Sequence, residues 1–155
     1  MTSDIAVDKA KWHSDSVEEY GLPSENSAHH IAFFLRWCVE RDFVNSDIQK
    51  LQLKNYEAVK TGEKSVVDYL LGLDGVFASN MLTPIGAAFS DFYFHIQKGQ
   101  YLSDLEKTLQ RSLPSIYHID FNDENYALIK AVINQRFSVW RETLPLHNSL
   151  EEEPL

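Results

Sequence analysis

The sequence predicts an all-α fold: a single-domain bundle of about six helices around an aromatic-rich central helix at about residues 27–43. Three observations lead there. The stretch Ser27-Ala28-His29-His30-Ile31-Ala32-Phe33-Phe34-Leu35-Arg36-Trp37-Cys38-Val39-Glu40-Arg41-Asp42-Phe43 is apolar on nearly every side, and such a helix has to be surrounded by others. Helix start and stop signals recur along the rest of the chain. No segment shows a convincing strand alternation. With 155 residues, 44% hydrophobic and 12% aromatic, the chain can bury a core of its own.

Taken in order, residues 1–10 read as a loose lead-in to a domain spanning 1–142. Leu22-Pro23-Ser24 closes the first element and caps the next, because Pro23 restrains the chain and Ser24 offers a capping hydroxyl. The central helix runs to about Phe43. Ser46-Asp47-Ile48-Gln49 has the form of a capping box, opening a helix that should end at Gly62, a residue suited to the left-handed closing position. Ser65 caps a short apolar helix, Val66 to Leu71. Thr83-Pro84 sets a cap and a proline at the first helical position, opening a helix to about Gln97 that closes at Gly99. Its Ile85, Ala88, Phe89, Phe92 and Ile96 fall on one face. Tyr101 to Arg111 continues in helix until Leu113-Pro114 breaks it, and Ser115 to Ile119 reads as extended or loop. Asn122 caps the last helix, whose first turn carries Asp123 and Glu124. Tyr126, Ile129, Ile133, Phe137 and Trp140 form its apolar stripe, and residues 143–155 form an acidic C-terminal tail.

Charge narrows the function. The net charge is −9, but residues 1–25 and 142–155 each contribute −4, so the body between them is nearly neutral. No excess of Lys or Arg builds the basic face that nucleic-acid binding needs. An acidic end can steer a basic protein partner, although a solvated tail is the simpler reading of Glu151–Glu153. The lone Cys38 excludes an internal disulfide and suits a reducing compartment. Residues 1–12 hold no apolar signal core, and the longest apolar run is Ile31 to Leu35. The expectation is a soluble cytoplasmic protein with no membrane contact.

Catalytic motifs are scarce. There is no phosphate-cradling glycine loop, no G-x-S-x-G, no H-E-x-x-H and no C-x-x-C. His29 and His30 point about 100° apart on a helix, and no histidine pair has the four-residue spacing that places two imidazoles on one face. The sequence therefore predicts no metal site and no cofactor, and reads His30 as an interior, hydrogen-bonded histidine. Asp104 reads as a first-turn acid facing its helix dipole. Cys38 reads as inert, and Trp12, Trp37, Tyr93, Tyr117 and Trp140 as core aromatics, which would mark a partner surface if exposed together.

The pieces Lys11-Trp12-His13, Leu22-Pro23 and Ala28-x-His30-Ile31-x-x-Phe34-Leu35-x-Trp37 resemble the opening of an uncharacterised bacterial domain family. Phe89-x-x-Phe92-Tyr93, Tyr101-Leu102-x-Asp104, Leu113-Pro114-Ser115-x-Tyr117-His118 and Arg136-Phe137-x-x-Trp140 extend the resemblance to Trp140. Two positions depart from its pattern: Phe94 replaces a tyrosine, and His29 is an added histidine, which places His29 towards the periphery. The family resembles small acidic helical proteins found among immunity genes for bacterial toxins. That resemblance implies a protein-binding module of immunity type, with a cognate toxin as partner and no catalytic residues. The candidate partner or ligand residues are Lys11, Trp12, His13, His30, Trp37, Tyr93, Tyr117 and His118. Two alternatives compete: a small hydrolase or ligand-binding protein using a pocket of Lys11, His13, His30, Tyr93 and His118, and an adaptor that forms a homodimer through an exposed aromatic helix face.

Overall fold

The all-round apolar segment becomes helix α2, His29–Glu40, entered through a 3-10 turn at Ser24–Ala28. The computed structural model describes residues 6–95 and 99–143, and α2 lies at the centre of that body. Ile31, Ala32, Phe33, Phe34 and Leu35 are each 0% exposed. Phe34 meets Phe77, Phe94, Tyr101 and Trp37 with ring centroids 5.3–5.7 Å apart, spacings at which aromatic pairs add about 0.5–1.5 kcal/mol to plain burial.

Around it stand α1 (Ser14–Glu19), α3 (Ser46–Leu51), α4 (Leu53–Thr61), α5 (Val66–Gly72), α6 (Pro84–Tyr93), α7 (Tyr101–Leu105) and α8 (Asp123–Thr143). The fold is all-α apart from a two-stranded sheet, and no helix is long and apolar enough to cross a membrane among the described residues. The expected stripe of α8 is buried at Tyr126, Ile129, Ile133, Phe137 and Trp140. Ser65, Thr83 and Asn122 all cap as read, accepting from the amides of Val67, Gly86 and Asn125. Gly62 closes α4 at φ 86°, where Glu63 N–H reaches the Ala58 carbonyl and Gly62 N–H that of Val59.

Several boundaries differ. The central helix stops at Glu40 because Asp42 adopts φ 58° and supplies the same left-handed closure without a glycine. The expected helix over 46–62 divides at Gln52, whose side-chain amide donates to the Gly72 carbonyl at 2.8 Å and pulls the chain out of register. Its cap is Asn45 rather than Ser46, accepting from Ile48 N–H at 2.9 Å. Helix α6 ends at Tyr93, and the expected continuation over 96–97 lies outside the described residues. Gln100 N–H bonds the Tyr93 carbonyl, and a side chain at Gly99 would run into that same carbonyl. Ile85 and Phe89 are buried as the expected face of α6 has them, but the buried side extends to one flank of that face. Gly86 sits under Phe43, Ser90 and Tyr93 go inside, and Phe92 is 50% exposed. After α7 the chain widens into one π-helical stretch, Glu106–Gln110, and Ser115–Ile119 holds a 3-10 turn at Ile116–His118.

The sheet is the feature the sequence hid. Strand β1, Ala6–Lys9, pairs antiparallel with β2, Val76–Ala78, so residues 6–10 are an integral part of the body rather than a loose lead-in. Partners run Ala6 to Ala78, Asp8 to Phe77 and Lys9 to Val76, skipping Val7. Such a bulge re-aims the side chain beside it, and here Asp8 is 1% exposed. Two strands of this length are marginal alone. Packing of Phe77 on Phe34 and Phe94 supports them. Residues after 143, expected as an acidic tail, lie outside the described residues.

Candidate functional site

The bulge in β1 turns a carboxylate into the molecule, and two imidazoles meet it. Asp8 Oδ2 accepts from His30 Nε2 at 2.9 Å, and Oδ1 accepts from His13 Nε2 at 2.7 Å and from the Lys9 amide at 2.8 Å. His13 Nδ1 receives the Tyr117 hydroxyl at 2.6 Å. The two imidazole rings lie 4.4 Å apart at 83°. Each partner comes from a different element: β1 supplies Asp8, the 3-10 turn Ala10–His13 supplies His13, α2 supplies His30 and the Ile116–His118 turn supplies Tyr117. Asn26 reinforces the assembly by donating to the Tyr117 carbonyl at 2.8 Å.

The protons can be placed from these contacts. Both Nε2 atoms must carry hydrogen, because a carboxylate only accepts. In the neutral tautomers that leaves His13 Nδ1 as the acceptor for Tyr117 and His30 Nδ1 as a lone pair, buried with no partner among the described residues. Burial pushes the Asp8 carboxyl upward, but hydrogen bonds from His13 and His30, with their positive charge when protonated, outweigh it and hold Asp8 at about 2. Burial pushes His30 below its ordinary value of 6.5 against the pull of Asp8. Burial first, and the Asp8 charge second, push the Tyr117 phenol up. The resting state is an ionised Asp8 between two imidazoles, with Tyr117 kept as a donor.

Of the expected site residues, His13, His30 and Tyr117 come together. His118 lies beside them, bonded to Ser115 Oγ at 2.8 Å and edge-on to Tyr20 at 4.8 Å. Trp12 is 51% exposed, not a core aromatic, with the Lys9 ammonium 5.7 Å from its ring. Lys11 is exposed. Trp37 is 1% exposed and belongs to the core, its Nε1 donating to Asn134 at 2.8 Å. Tyr93 belongs to a second buried network, donating to Asp104 at 2.6 Å, so the five-residue pocket of Lys11, His13, His30, Tyr93 and His118 does not form as one constellation. Asp104 pairs with Arg136 at 2.9 and 3.0 Å instead of merely facing a helix dipole. His29 is buried rather than peripheral, donating from Nδ1 to the Ile119 carbonyl at 3.2 Å. Burial pushes the Cys38 thiol far above its usual range, which keeps it unreactive.

Asp8 is the residue missed by reading the sequence. Its signal was the apolar lead Ile5-Ala6-Val7, an acid following a strand-like run, which the count of N-terminal acids concealed. Around the cluster the surface is acidic and aromatic: Asp15, Glu18, Glu19 and Glu25 are exposed, and Tyr20 is 48% exposed.

A family model described as a domain of unknown function (DUF7832) matches residues 6–119, a span that contains every member of the cluster. No curated protein and no solved structure matches the chain.

Proposed function

The chain belongs to the family of the domain of unknown function DUF7832, and we propose that it is a protein-binding module, an immunity-type inhibitor of a bacterial toxin. The observation that carries this reading is the pair of exposed aromatics, Trp12 and Tyr20, on the acidic segment next to the His13–Tyr117 cluster. Trp and Tyr give large contact area at low entropic cost and dominate interface hot spots. Both stand on a fixed base: Trp12 precedes His13, whose two ring nitrogens are tied to Asp8 and Tyr117, and Tyr20 rests on His118. Preorganisation of that kind lowers the ordering cost of association. The four exposed acids nearby favour a basic partner and make its approach sensitive to salt.

Trp12→Ala and Tyr20→Ala should each weaken partner binding by about 2–4 kcal/mol while changing folding stability by no more than about 0.5 kcal/mol. The experiment is co-expression with the product of the adjacent gene. Rescue from its toxicity by the wild-type chain, reduced for both variants at equal expression, is the expected result. No rescue and no co-purification with any neighbour-encoded protein would count against the reading.

A second reading rests on a different surface. A groove of about 510 Å³ between α6 and α8 is lined by Phe92, Val132, Arg136, Val139 and Trp140, with Phe92 and Val139 50% and 47% exposed. Exposed Phe92 beside Val139 supports a homodimer formed through this groove. Light scattering should report a dimer reduced to monomer by Phe92→Asp if this face self-associates; a wild-type monomer at high concentration removes the reading.

A further inference from the structure

We propose that Asp8, His13 and His30 form a binding site for a divalent transition-metal ion, with zinc as the ion that fits the donor set. One ligand atom from each residue lies within 4.8 Å of the others. Two imidazole nitrogens and one carboxylate oxygen make three of the four ligands of an open zinc site, leaving one position for water or another donor. Ligands held about 2.0–2.1 Å from one ion stand roughly 3 Å apart, and each imidazole Nε2 already lies that close to one oxygen of Asp8, His13 at 2.7 Å from Oδ1 and His30 at 2.9 Å from Oδ2.

Charge supplies an independent reason. Asp8 is 1% exposed, and its hydrogen-bond partners among the described residues are two imidazoles and a backbone amide. Buried charges in proteins are paired or coordinate a metal, and no Lys or Arg side chain is among these partners. A divalent ion would neutralise the carboxylate where it stands. Access is limited to one side, since His30 is as buried as Asp8 and only His13, 18% exposed, faces outward.

Proton accounting is consistent with binding. Coordination through both Nε2 atoms moves each ring proton to Nδ1, so two neutral imidazoles lose none to solvent. On His13 that proton is donated to the Tyr117 oxygen, an outer hydrogen bond of the kind that orients a metal-bound histidine. On His30 it has no partner among the described residues. That unpartnered N–H lowers the affinity by about ten- to a hundredfold relative to a site with both outer hydrogen bonds made.

The test uses the full chain, stripped with chelator and titrated with zinc chloride in a calorimeter, while the histidine ring nitrogens are followed by ¹⁵N NMR. One zinc per chain, a raised melting temperature and zinc-dependent shifts at the Nε2 atoms of His13 and His30 are expected. His13→Ala and Asp8→Asn should each weaken binding more than a hundredfold, whereas His118→Ala should leave it unchanged. Absence of saturable uptake by the wild-type chain would overturn the proposal, whatever the variants do. So would uptake unaltered in His13→Ala, or ring shifts confined to other histidines, since both would mean surface binding only.

Discussion

Replacing Asp8 with alanine should lower folding stability by about 3–5 kcal/mol, the summed cost of leaving three hydrogen-bond donors without their acceptor at about 1–3 kcal/mol each. The size follows from what is left behind. His30, 1% exposed, loses its one side-chain hydrogen bond among the described residues, and His13 loses one of the two bonds that fix its ring. Strand β1 keeps its pairing to β2 but loses its tie to α2. Asp8→Asn, which keeps volume and one acceptor, should cost roughly half as much and serves as the control for shape. Urea unfolding with chelator present measures both.

The same carboxylate predicts an acid limb in the stability profile. Its folded value of about 2 lies below the ordinary 3.8, so its contribution is present above about pH 4 and is lost as pH falls toward 2. The shift amounts to roughly 2 kcal/mol, and Asp8→Asn should flatten that limb. His30 acts in the same direction at higher pH. Burial lowers its folded value, so the unfolded chain takes the proton more readily and stability begins to fall below about 6.5.

Asp104→Ala should rank second, at about 3 kcal/mol, the lower end of the range for a broken buried pair. Asp104 holds the Tyr93 hydroxyl at 2.6 Å and grips Arg136 through two bonds, joining α6, α7 and α8. The loss is smaller than at Asp8 because the Arg136 side chain is 36% exposed and can turn to water, whereas Tyr93, at 0% exposure, cannot. A double-mutant cycle with Arg136→Ala should return a coupling of about 1–3 kcal/mol. Additive effects would mean that the bidentate contact contributes little and that Tyr93 carries the cost.

These two carboxylates mark what the chain did and did not reveal by inspection. Helix α2 was legible because its apolar character extends around the whole helix, which leaves one architectural solution. Caps at Ser65, Thr83 and Asn122 were legible because a side chain bonding an amide two or three residues away is a local event. Gly62 was legible as a helix end and Asp42 was not, although both take a left-handed turn, because aspartate there is uncommon. The split at Gln52 depends on the Gly72 carbonyl, and β1 on residues 76–78, contacts that no local pattern encodes. The candidate site was partly legible: His13, His30 and Tyr117 stand out as residue types, while Asp8 is one of six acids in residues 1–25 and nothing local sets it apart. Its burial arises from the bulge and from a strand pairing across the chain.

We propose that the half-buried Asp8–His13–His30–Tyr117 cluster presents Trp12 and Tyr20 as a binding face for a basic protein. The direct measurement is a calorimetric titration of the purified chain with an inactive form of the adjacent gene's product, at low and high salt. A one-to-one complex is predicted, weaker at high salt, lost on Trp12→Ala and untouched by Phe92→Asp. A complex indifferent to Trp12 and Tyr20 but lost with Phe92→Asp would contradict the account and move the interface to the groove between α6 and α8.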